Sequence, residues 1–342
     1  MQKPKVGIPR ALSYYTFYPL WRVFLEKLGT EVVLSSPTNR QILEDGIRET
    51  VNDACIPIKV FHGHVLDLIR KVDYLFIPRM ISADSIATFC PKFLGLPDMI
   101  RFTGVNLPQI IDIRFNLKGL PGGLWRFFRA VAREIGINNP FKILYAQLSA
   151  LKKQRYYQKL LSKGLTPPEA LELVFDRDSQ IEKTPKGISP LFNAGGKIVI
   201  GLLGYPYAIF DTFINAGVYK RLLKMGVEII TFEKIPQRQM RRMSAEMPQN
   251  FFWYYSNQVC WAGMFLLNNR DKIDGIIHIT AFGCGPDAMV DKLLELEAKT
   301  AGVPYINLSI DEHTGEGGVQ TRLEAFVDML WARKEKSRVV NS

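Results

Sequence analysis

The fold of this protein is indicated by residues 5–35, which read KVGIPRALSYYTFYPLWRVFLEKLGTEVVLS. The short apolar run Lys5–Pro9 breaks at a proline, and an aromatic-rich amphipathic stretch over residues 12–28 ends at Gly29. Glu31–Ser35 is a second short apolar run. A strand, a helix and a strand in this order predict a β-α-β unit with two parallel strands.

The pattern continues outward from this unit and then recurs. Helical patterns over about 40–52 and 56–71 lead to a third strand, Asp73–Pro78, so we expect a parallel sheet with helices on both faces. The strand patterns Lys197–Leu203 and Val227–Phe232, with a third beginning at Lys272, repeat this order. The chain therefore predicts two α/β domains of similar build. Ancient duplication and the general likeness of Rossmann-like units are both open explanations.

Length and composition agree with that organisation. The chain has 342 residues, of which 47% are hydrophobic and 23% charged, and this excludes a disordered protein. A length of this size typically holds two or three domains. We predict an α/β domain over residues 1–117, a helical insertion over 118–190 and a second α/β domain over 191–342.

The predicted insertion concentrates positive charge. The chain carries 44 Lys and Arg against 33 Asp and Glu, and residues 118–187 hold seven of the eleven net positive charges. Helical patterns cover Leu124–Ile135, Ile143–Leu161 and Pro168–Asp176, followed by a polar stretch with Pro185, Gly187 and Pro190. Exposed basic faces could bind a phosphorylated ligand or an acidic protein, or simply be solvated. No nucleic-acid motif accompanies them, so we expect no nucleic-acid partner.

The cellular location is predicted from the lack of a signal-like segment and of a membrane-spanning apolar run. No apolar signal core follows the first residues, and apolar runs such as Gly275–Ala281 are far shorter than the ~20 residues that span a bilayer. Four cysteines, Cys55, Cys90, Cys260 and Cys284, are too scattered for a disulfide framework. We therefore expect a cytoplasmic protein with reduced thiols and no membrane association.

Three of the cysteines lie where α/β sheets place their sites. Cys90 and Cys284 each follow a predicted third strand, at the carboxyl end where loops and helix starts converge. Pro286 is suited to a first helical turn, which predicts Cys284 or Gly285 as the cap of a helix. Cys55 precedes a helix break at Pro57. A helix start favours the thiolate that binds metal or attacks.

These positions leave two interpretations of the thiols. Soft thiolates from separated loops suit an iron–sulfur cluster or zinc, although no Cys-x-x-Cys pair is present. The alternative is that they are small buried hydrophobic residues. Cys260 lies in a strongly apolar helical pattern, so we expect it in the core.

Several motifs together resemble a known family. They are Gly7-Ile-Pro-Arg10, Ala54-Cys-Ile-Pro-Ile-Lys-Val-Phe-His-Gly-His64, Phe76-Ile-Pro-Arg79, Cys90-Pro-Lys-Phe-Leu-Gly-Leu-Pro-Asp98, Phe282-Gly-Cys-Gly-Pro-Asp287 and the run from Ile310 to Phe326. The set resembles an uncharacterised group, often labelled acyl-CoA dehydratase activase-related, within the 2-hydroxyacyl-CoA dehydratase and benzoyl-CoA reductase superfamily. The resemblance spans about residues 5–115 and 197–331.

The resemblance implies a fold and a cofactor. It implies two flavodoxin-like domains flanking an interdomain cleft, with one [4Fe–4S] cluster held by Cys55, Cys90 and Cys284. A separate ATP-dependent iron–sulfur activator protein would inject a low-potential electron, for a reductive or dehydrating reaction of anaerobic metabolism, on an acyl-CoA or another small-molecule substrate. The fourth iron would be open, or closed by Cys260 or an oxygen ligand such as Asp287. The chain lacks the phosphate loop of the activator's ATPase, so we expect it to receive electrons.

Other residues and functions stay open. His62 and His64 could donate a proton or a hydrogen bond near the cluster, or serve as caps. Glu312 and His313, in a loop after the strand Tyr305–Ile310, form either a proton relay or a helix cap. The alternatives to a dehydratase-type enzyme are a non-catalytic electron relay or cluster carrier, and a metal-free two-domain enzyme that binds a phosphorylated ligand. The characterised dehydratases are heterodimers, whereas this chain could form a homodimer or pair with an absent partner.

Overall fold

The structure is a computed structural model that describes residues 3–119, 122–175, 191–192 and 196–340. The described residues form two compact units. Unit 1 contains residues up to 159, residues 170–175 and the segment Phe251–Tyr254. Unit 2 contains Leu160–Glu169, the described residues of 191–250 and those from 255 onward.

The first half of the chain alternates short strands with helices. The strands are β1 (Lys5–Ile8), β2 (Glu31–Leu34), β3 (Tyr74–Phe76), β4 (Arg79–Ser82), β5 (Gln109–Ile111) and β6 (Arg114–Asn116). The helices are α1 (Tyr14–Leu28), α2 (Arg40–Arg48), α3 (Ile56–Leu68), α4 (Pro91–Arg101), α5 (Gly123–Glu134), α6 (Pro140–Ser162) and α7 (Pro167–Phe175).

The second half has the same alternation with longer central strands. The strands are β7 (Val199–Gly204), β8 (Glu228–Ile230), β9 (Gly275–Ala281) and β10 (Tyr305–Ile310). The helices are α8 (Pro206–Ile209), α9 (Val218–Lys224), α10 (Gln237–Glu246), α11 (Tyr254–Asn268), α12 (Gly285–Ala301) and α13 (Glu316–Val340), with 3-10 turns at Phe232–Lys234 and Arg270–Lys272.

Each unit has a four-stranded parallel sheet with the same strand order. The order is β2-β1-β3-β5 in unit 1 and β8-β7-β9-β10 in unit 2. When the strands of each sheet are numbered along the chain, their order across the sheet is 2-1-3-4. This is the order of flavodoxin-like sheets. A further parallel pair, β4-β6, lies in unit 1. The prediction of an α/β protein with two parallel-sheet domains is confirmed.

Aromatic side chains form much of the core of unit 1. Trp21 of α1 is only 2% exposed, and its ring lies 5.0 Å from that of Phe115 and 5.5 Å from that of Phe76. Phe17 and Phe127 extend the same cluster. The aromatic residues of the opening helix thus anchor α1 to strands β3 and β6 and to helix α5. Gly29, with φ of 99°, then ends α1 in a left-handed conformation that favours glycine.

The core of unit 2 is built on two fully buried strands. Every residue of β7 and β9 is buried. Helix α11 packs closely on these strands. A Cβ atom at Gly201 of β7 would lie only 2.5 Å from a side-chain carbon of Leu266 of α11. A Cβ atom at Gly263 would likewise lie 2.5 Å from Leu294 of α12. Parallel strands buried on both faces are usually apolar along most of their length, as these two are, apart from His278 and Thr280 of β9.

The middle of the chain carries helices close to the predicted positions. Helices α5, α6 and α7 correspond to the three helical patterns. The exposed basic residues of α5 and α6 are Arg126, Arg129, Arg133, Lys142, Lys152, Arg155 and Lys159. The polar stretch with Pro185, Gly187 and Pro190 lies outside the described residues, and the domain boundaries at 117 and 190 stay a prediction. No helix in the described part of the chain is long and apolar enough to cross a membrane.

Candidate functional site

Two of the predicted ligand cysteines lie at helix starts in unit 1. Cys55 is the N-cap of α3 and Cys90 is the N-cap of α4, and each cap is followed by a proline in the first turn. Because the partial positive charge at a helix start favours a thiolate, both positions suit a soft metal ligand.

The fold brings these two thiols within electrostatic reach of each other. Burial raises the pKa of Cys55, whereas the ammonium group of Lys92 and the backbone N–H of Ile58 lower it, and a charge on Cys90 raises it further. Both cysteines are half-buried. A cation shared with the two sulfurs would remove the repulsion between their thiolates and favour the charged form of both.

The third predicted ligand has the same local geometry in unit 2. Cys284 is the N-cap of α12, which begins at Gly285 with Pro286 as its second residue, and the sulfur makes no capping hydrogen bond. A tight turn after β9 places it there, since the backbone N–H of Cys284 donates to the carbonyl of Ala281 at 3.0 Å. Gly283, with φ of 74°, supplies the left-handed residue that this turn needs.

Cys260 differs from the other three cysteines in its position within a helix and in its burial. It lies in the middle of α11 and is fully buried. Burial raises the pKa of its thiol to about 12, so it stays protonated near neutral pH. This agrees with its prediction as a core residue. All four cysteines lie among the described residues, and none forms a disulfide.

Both histidines that follow Cys55 on α3 are buried. His62 is 2% exposed, and its Nδ1 donates to the carbonyl of Ile58 at 2.9 Å. His64 is fully buried, and its Nε2 lies 3.0 Å from the hydroxyl of Thr38. Burial lowers the pKa of both imidazoles, that of His64 to about 3. Both rings are therefore neutral near pH 7 and can serve as hydrogen-bonding groups.

The loop with the other two candidate residues has the hydrogen bonds of a turn. The hydroxyl of Thr314 and the backbone N–H of His313 both donate to Asp311 Oδ1, at 2.7 and 3.0 Å. The hydrogen bond from Thr314 lowers the pKa of Asp311. These contacts favour the interpretation of a turn before α13, while Glu312 and His313 stay predictions as proton carriers.

A buried ionic network, which was not predicted from the sequence, holds the helix that begins after Cys284. His278 of β9 is fully buried, with Nε2 at 3.2 Å from Asp287 Oδ1 and Nδ1 at 3.2 Å from Asp291 Oδ1. The hydroxyl of Tyr305 donates to Asp291 at 2.7 Å. Burial alone would lower the pKa of His278, but the two carboxylates outweigh it and raise the pKa to about 9. One histidine inside the apolar strand Gly275–Ala281 was the available signal.

This network fixes the role of Asp287 in the fold. The side chain is 1% exposed and faces His278 from the first turn of α12. Through it, β9 holds the helix whose N-cap is Cys284. Within the described ranges, no group of three or more His, Cys, Asp or Glu side chains lies close enough to hold a metal ion. Cys55 and Cys90 belong to unit 1, and Cys284 belongs to unit 2.

Comparison with known families gives two adjoining matches. Residues 5–235 match the family model described as the CoA enzyme activase uncharacterised domain. Residues 249–330 match the model of the D-component of 2-hydroxyglutaryl-CoA dehydratase. No curated protein matches the chain. Because the first match covers more than half of the chain, the protein belongs to the CoA enzyme activase domain family, within the 2-hydroxyacyl-CoA dehydratase and activase-related group that the sequence motifs resemble.

Proposed function

We propose that the protein is an iron–sulfur protein of the 2-hydroxyacyl-CoA dehydratase type, which binds one [4Fe–4S] cluster through Cys55, Cys90 and Cys284. One observation carries the proposal. Each of these three cysteines is the half-buried N-cap residue of a helix that has a proline in its first turn. The donor set fits the cofactor, because thiolates are the usual ligands of iron–sulfur clusters.

The state of the fourth iron follows from the residues that could close it. Cys260 is buried inside α11, and Asp287 is buried against His278. Both candidate fourth ligands are thus held in the protein interior by other contacts. This supports a ligand set of three thiolates, which leaves one coordination position for water or substrate. It also counts against a cluster carrier in which Cys260 completes a four-thiolate set.

The protein side chains would act on the ligands and their surroundings. The ammonium group of Lys92 would favour the thiolate of Cys55 against the larger effect of burial, and the partial positive charges at the three helix starts would favour metal-bound thiolates. His62 and His64 are neutral and already hydrogen-bonded, so their role would be orientation of α3. When bound, the cluster would supply one-electron chemistry at low potential.

The proposed partners follow from the family. The match to a CoA enzyme activase domain and to a dehydratase component supports an ATP-dependent iron–sulfur activator as electron donor and an acyl-CoA as substrate. The exposed basic residues of α5 and α6 would suit either an acidic donor protein or the phosphates of CoA. Association with a second copy of the chain stays a prediction.

The proposal is tested by purifying the protein under strict anaerobiosis. We expect a brown protein with about four irons and four sulfides per chain and a broad thiolate-to-iron absorption band. Reduction should produce the EPR signal of a reduced cluster, and ATP with an activator protein should produce the same signal without a chemical reductant. A protein that contains only zinc, or no metal at all, would contradict the proposal and favour the metal-free alternative.

A further inference from the structure

A cavity of about 260 Å³ in unit 2 lies at the amino ends of strands β9 and β10. Its lining includes Asp274, the residue directly before β9, and Pro304, the residue directly before β10. Cys284 instead follows the carboxyl end of β9. Since β9 has seven residues and a strand rises about 3.3 Å per residue, the strand alone separates the two places by about 20 Å. The cavity is therefore distinct from the site of the three cysteines.

Two arginines from different elements line this cavity. Arg270 is the first residue of the 3-10 turn after α11, and Arg333 lies in the second half of α13. Both residues are exposed, so that a ligand can reach them from solvent. Nη2 of Arg333 donates to the carbonyl oxygen of Gly302 at 3.5 Å, and Gly302 itself is the lining residue that ends α12. The cavity thus brings together two cations that are far apart in sequence.

The other two charged residues of the lining neutralise each other. Asp274 is the only acid among the lining residues, all of which lie in the described part of the chain. Its Oδ2 accepts the ammonium group of Lys334 and the backbone N–H of Val199, each at 2.8 Å. Lys334 also donates to the carbonyl oxygen of Lys197 at 2.6 Å. Because this ion pair is held by backbone groups, the two arginines leave the cavity with a net positive charge.

Much of the remaining lining is apolar. Ile273, Val303 and Leu330 line the cavity, and all three side chains are buried. Apolar side chains combined with a few charged groups are typical of small-molecule sites. Pockets for drug-sized ligands usually measure about 300–1,000 Å³, so this cavity suits a smaller ligand. The lining therefore indicates a small anion that also carries an apolar part.

We propose that this cavity binds a small organic phosphate, with Arg270 and Arg333 on the phosphoryl group and the apolar lining against the organic part. The guanidinium group presents a rigid fork of N–H donors that matches phosphate oxygens. Removal of the organic part from water adds a contribution that an inorganic anion cannot make. The site does not depend on the proposed function, because none of its lining residues is a predicted cluster ligand.

Calorimetric titration of phenyl phosphate into the purified full-length chain, at fixed ionic strength, tests the site. We expect saturable binding in the wild type, and binding of inorganic phosphate that is weaker by about fivefold or more. Arg270→Gln and Arg333→Gln should each lose about tenfold in affinity, since each change removes a charge-assisted hydrogen bond. The matched control is Arg241→Gln, because Arg241 is an exposed arginine of the same unit that does not line the cavity. Its affinity should equal that of the wild type.

A further variant separates the cavity from its charges. Ala301→Phe keeps both arginines and adds a bulky side chain at a half-exposed lining residue, the last residue of α12. We expect it to lose phenyl phosphate binding while its urea unfolding curve stays close to that of the wild type. Unchanged affinity in this variant would place the ligand outside the cavity and overturn the proposal. The absence of saturable binding in the wild type, or equal affinity in the wild type and both arginine variants, would overturn it as well.

Discussion

Replacement of His278 by glutamine should destabilise the protein by an amount that depends on pH. His278 is fully buried between the carboxylates of Asp287 and Asp291, each 3.2 Å from one ring nitrogen. Although burial favours the neutral ring, these carboxylates raise its pKa from 6.5 to about 9. The folded protein therefore binds a proton on His278 that the unfolded chain releases at a lower pH.

The sign and size of the effect follow from that shift. Because the pKa of His278 is raised in the folded state, its protonation stabilises the folded protein fully below pH 6.5. This stabilisation is lost as the pH rises toward about 9. A shift of this size corresponds to a free energy of about 3 kcal/mol. Glutamine keeps an amide near Asp287 but cannot carry the charge. The difference in free energy of unfolding between the wild type and His278→Gln should therefore be about 3 kcal/mol larger at pH 6 than at pH 9.5.

Urea unfolding of both proteins at these pH values, followed by far-UV circular dichroism, measures the difference. His313→Gln is the matched control, because His313 is an exposed histidine of the same unit. Its free energy of unfolding should follow that of the wild type throughout. Our reasoning is refuted if the gap between wild type and His278→Gln is the same at pH 6 and pH 9.5, since His278 would then be uncharged in the folded state.

Two further predictions concern helix packing and thiol reactivity. Gly63→Ala should reduce the free energy of unfolding by about 3 kcal/mol in urea, because its Cβ would lie 1.8 Å from the carbonyl oxygen of Ile42 and force α2 and α3 apart. Gly95→Ala, with no atom within 4 Å of the new Cβ, should instead stabilise by up to about 1 kcal/mol, and equal effects of the two changes would contradict the close crossing. In iron-free native protein, iodoacetamide should modify Cys55, Cys90 and Cys284, as detected by mass spectrometry. Cys260 should stay unmodified because it is fully buried, and its modification under native conditions would be inconsistent with that burial.

The opening strands and helix were predictable because local signals agree there. The predicted bounds of β1, α1 and β2 differ from the structure by at most two residues, since Pro9 and Gly29 mark the ends of clear periodic patterns. Strands β4, β5 and β6 were not predicted. They lie outside the regular alternation of strand and helix patterns, and their pairing with β6, β3 and β4 depends on contacts distant in sequence.

The start of helix α13 was also not predictable from the sequence. It begins at Glu316, so that Gly317 and Gly318 lie in its first turn. Glycine pairs are typical of loops, so a local pattern could not place this start. Arg221 of α9 forms an ion pair with Glu316 at 2.7 Å, a contact between residues distant in sequence that no local pattern reports.

The cysteine positions were predictable and the ionic network was not. Pro286 indicated Cys284 or Gly285 as a helix cap, and Cys284 is the N-cap of α12 in the structure. The partners of His278 are on the following helix at positions 287 and 291, and only the pairing of β9 with α12 shows that they meet. Likewise, the cavity that Arg270 and Arg333 line joins residues far apart in sequence, which no local pattern reports.

The central claim is that three capping thiols, and not the buried one, hold the cluster. Iron content per chain in Cys284→Ser and Cys260→Ser, both purified anaerobically beside the wild type, tests it most directly. We predict that Cys260→Ser retains the iron and sulfide of the wild type and that Cys284→Ser loses most of both. Full iron content in Cys284→Ser, or loss of iron in Cys260→Ser alone, would contradict the account.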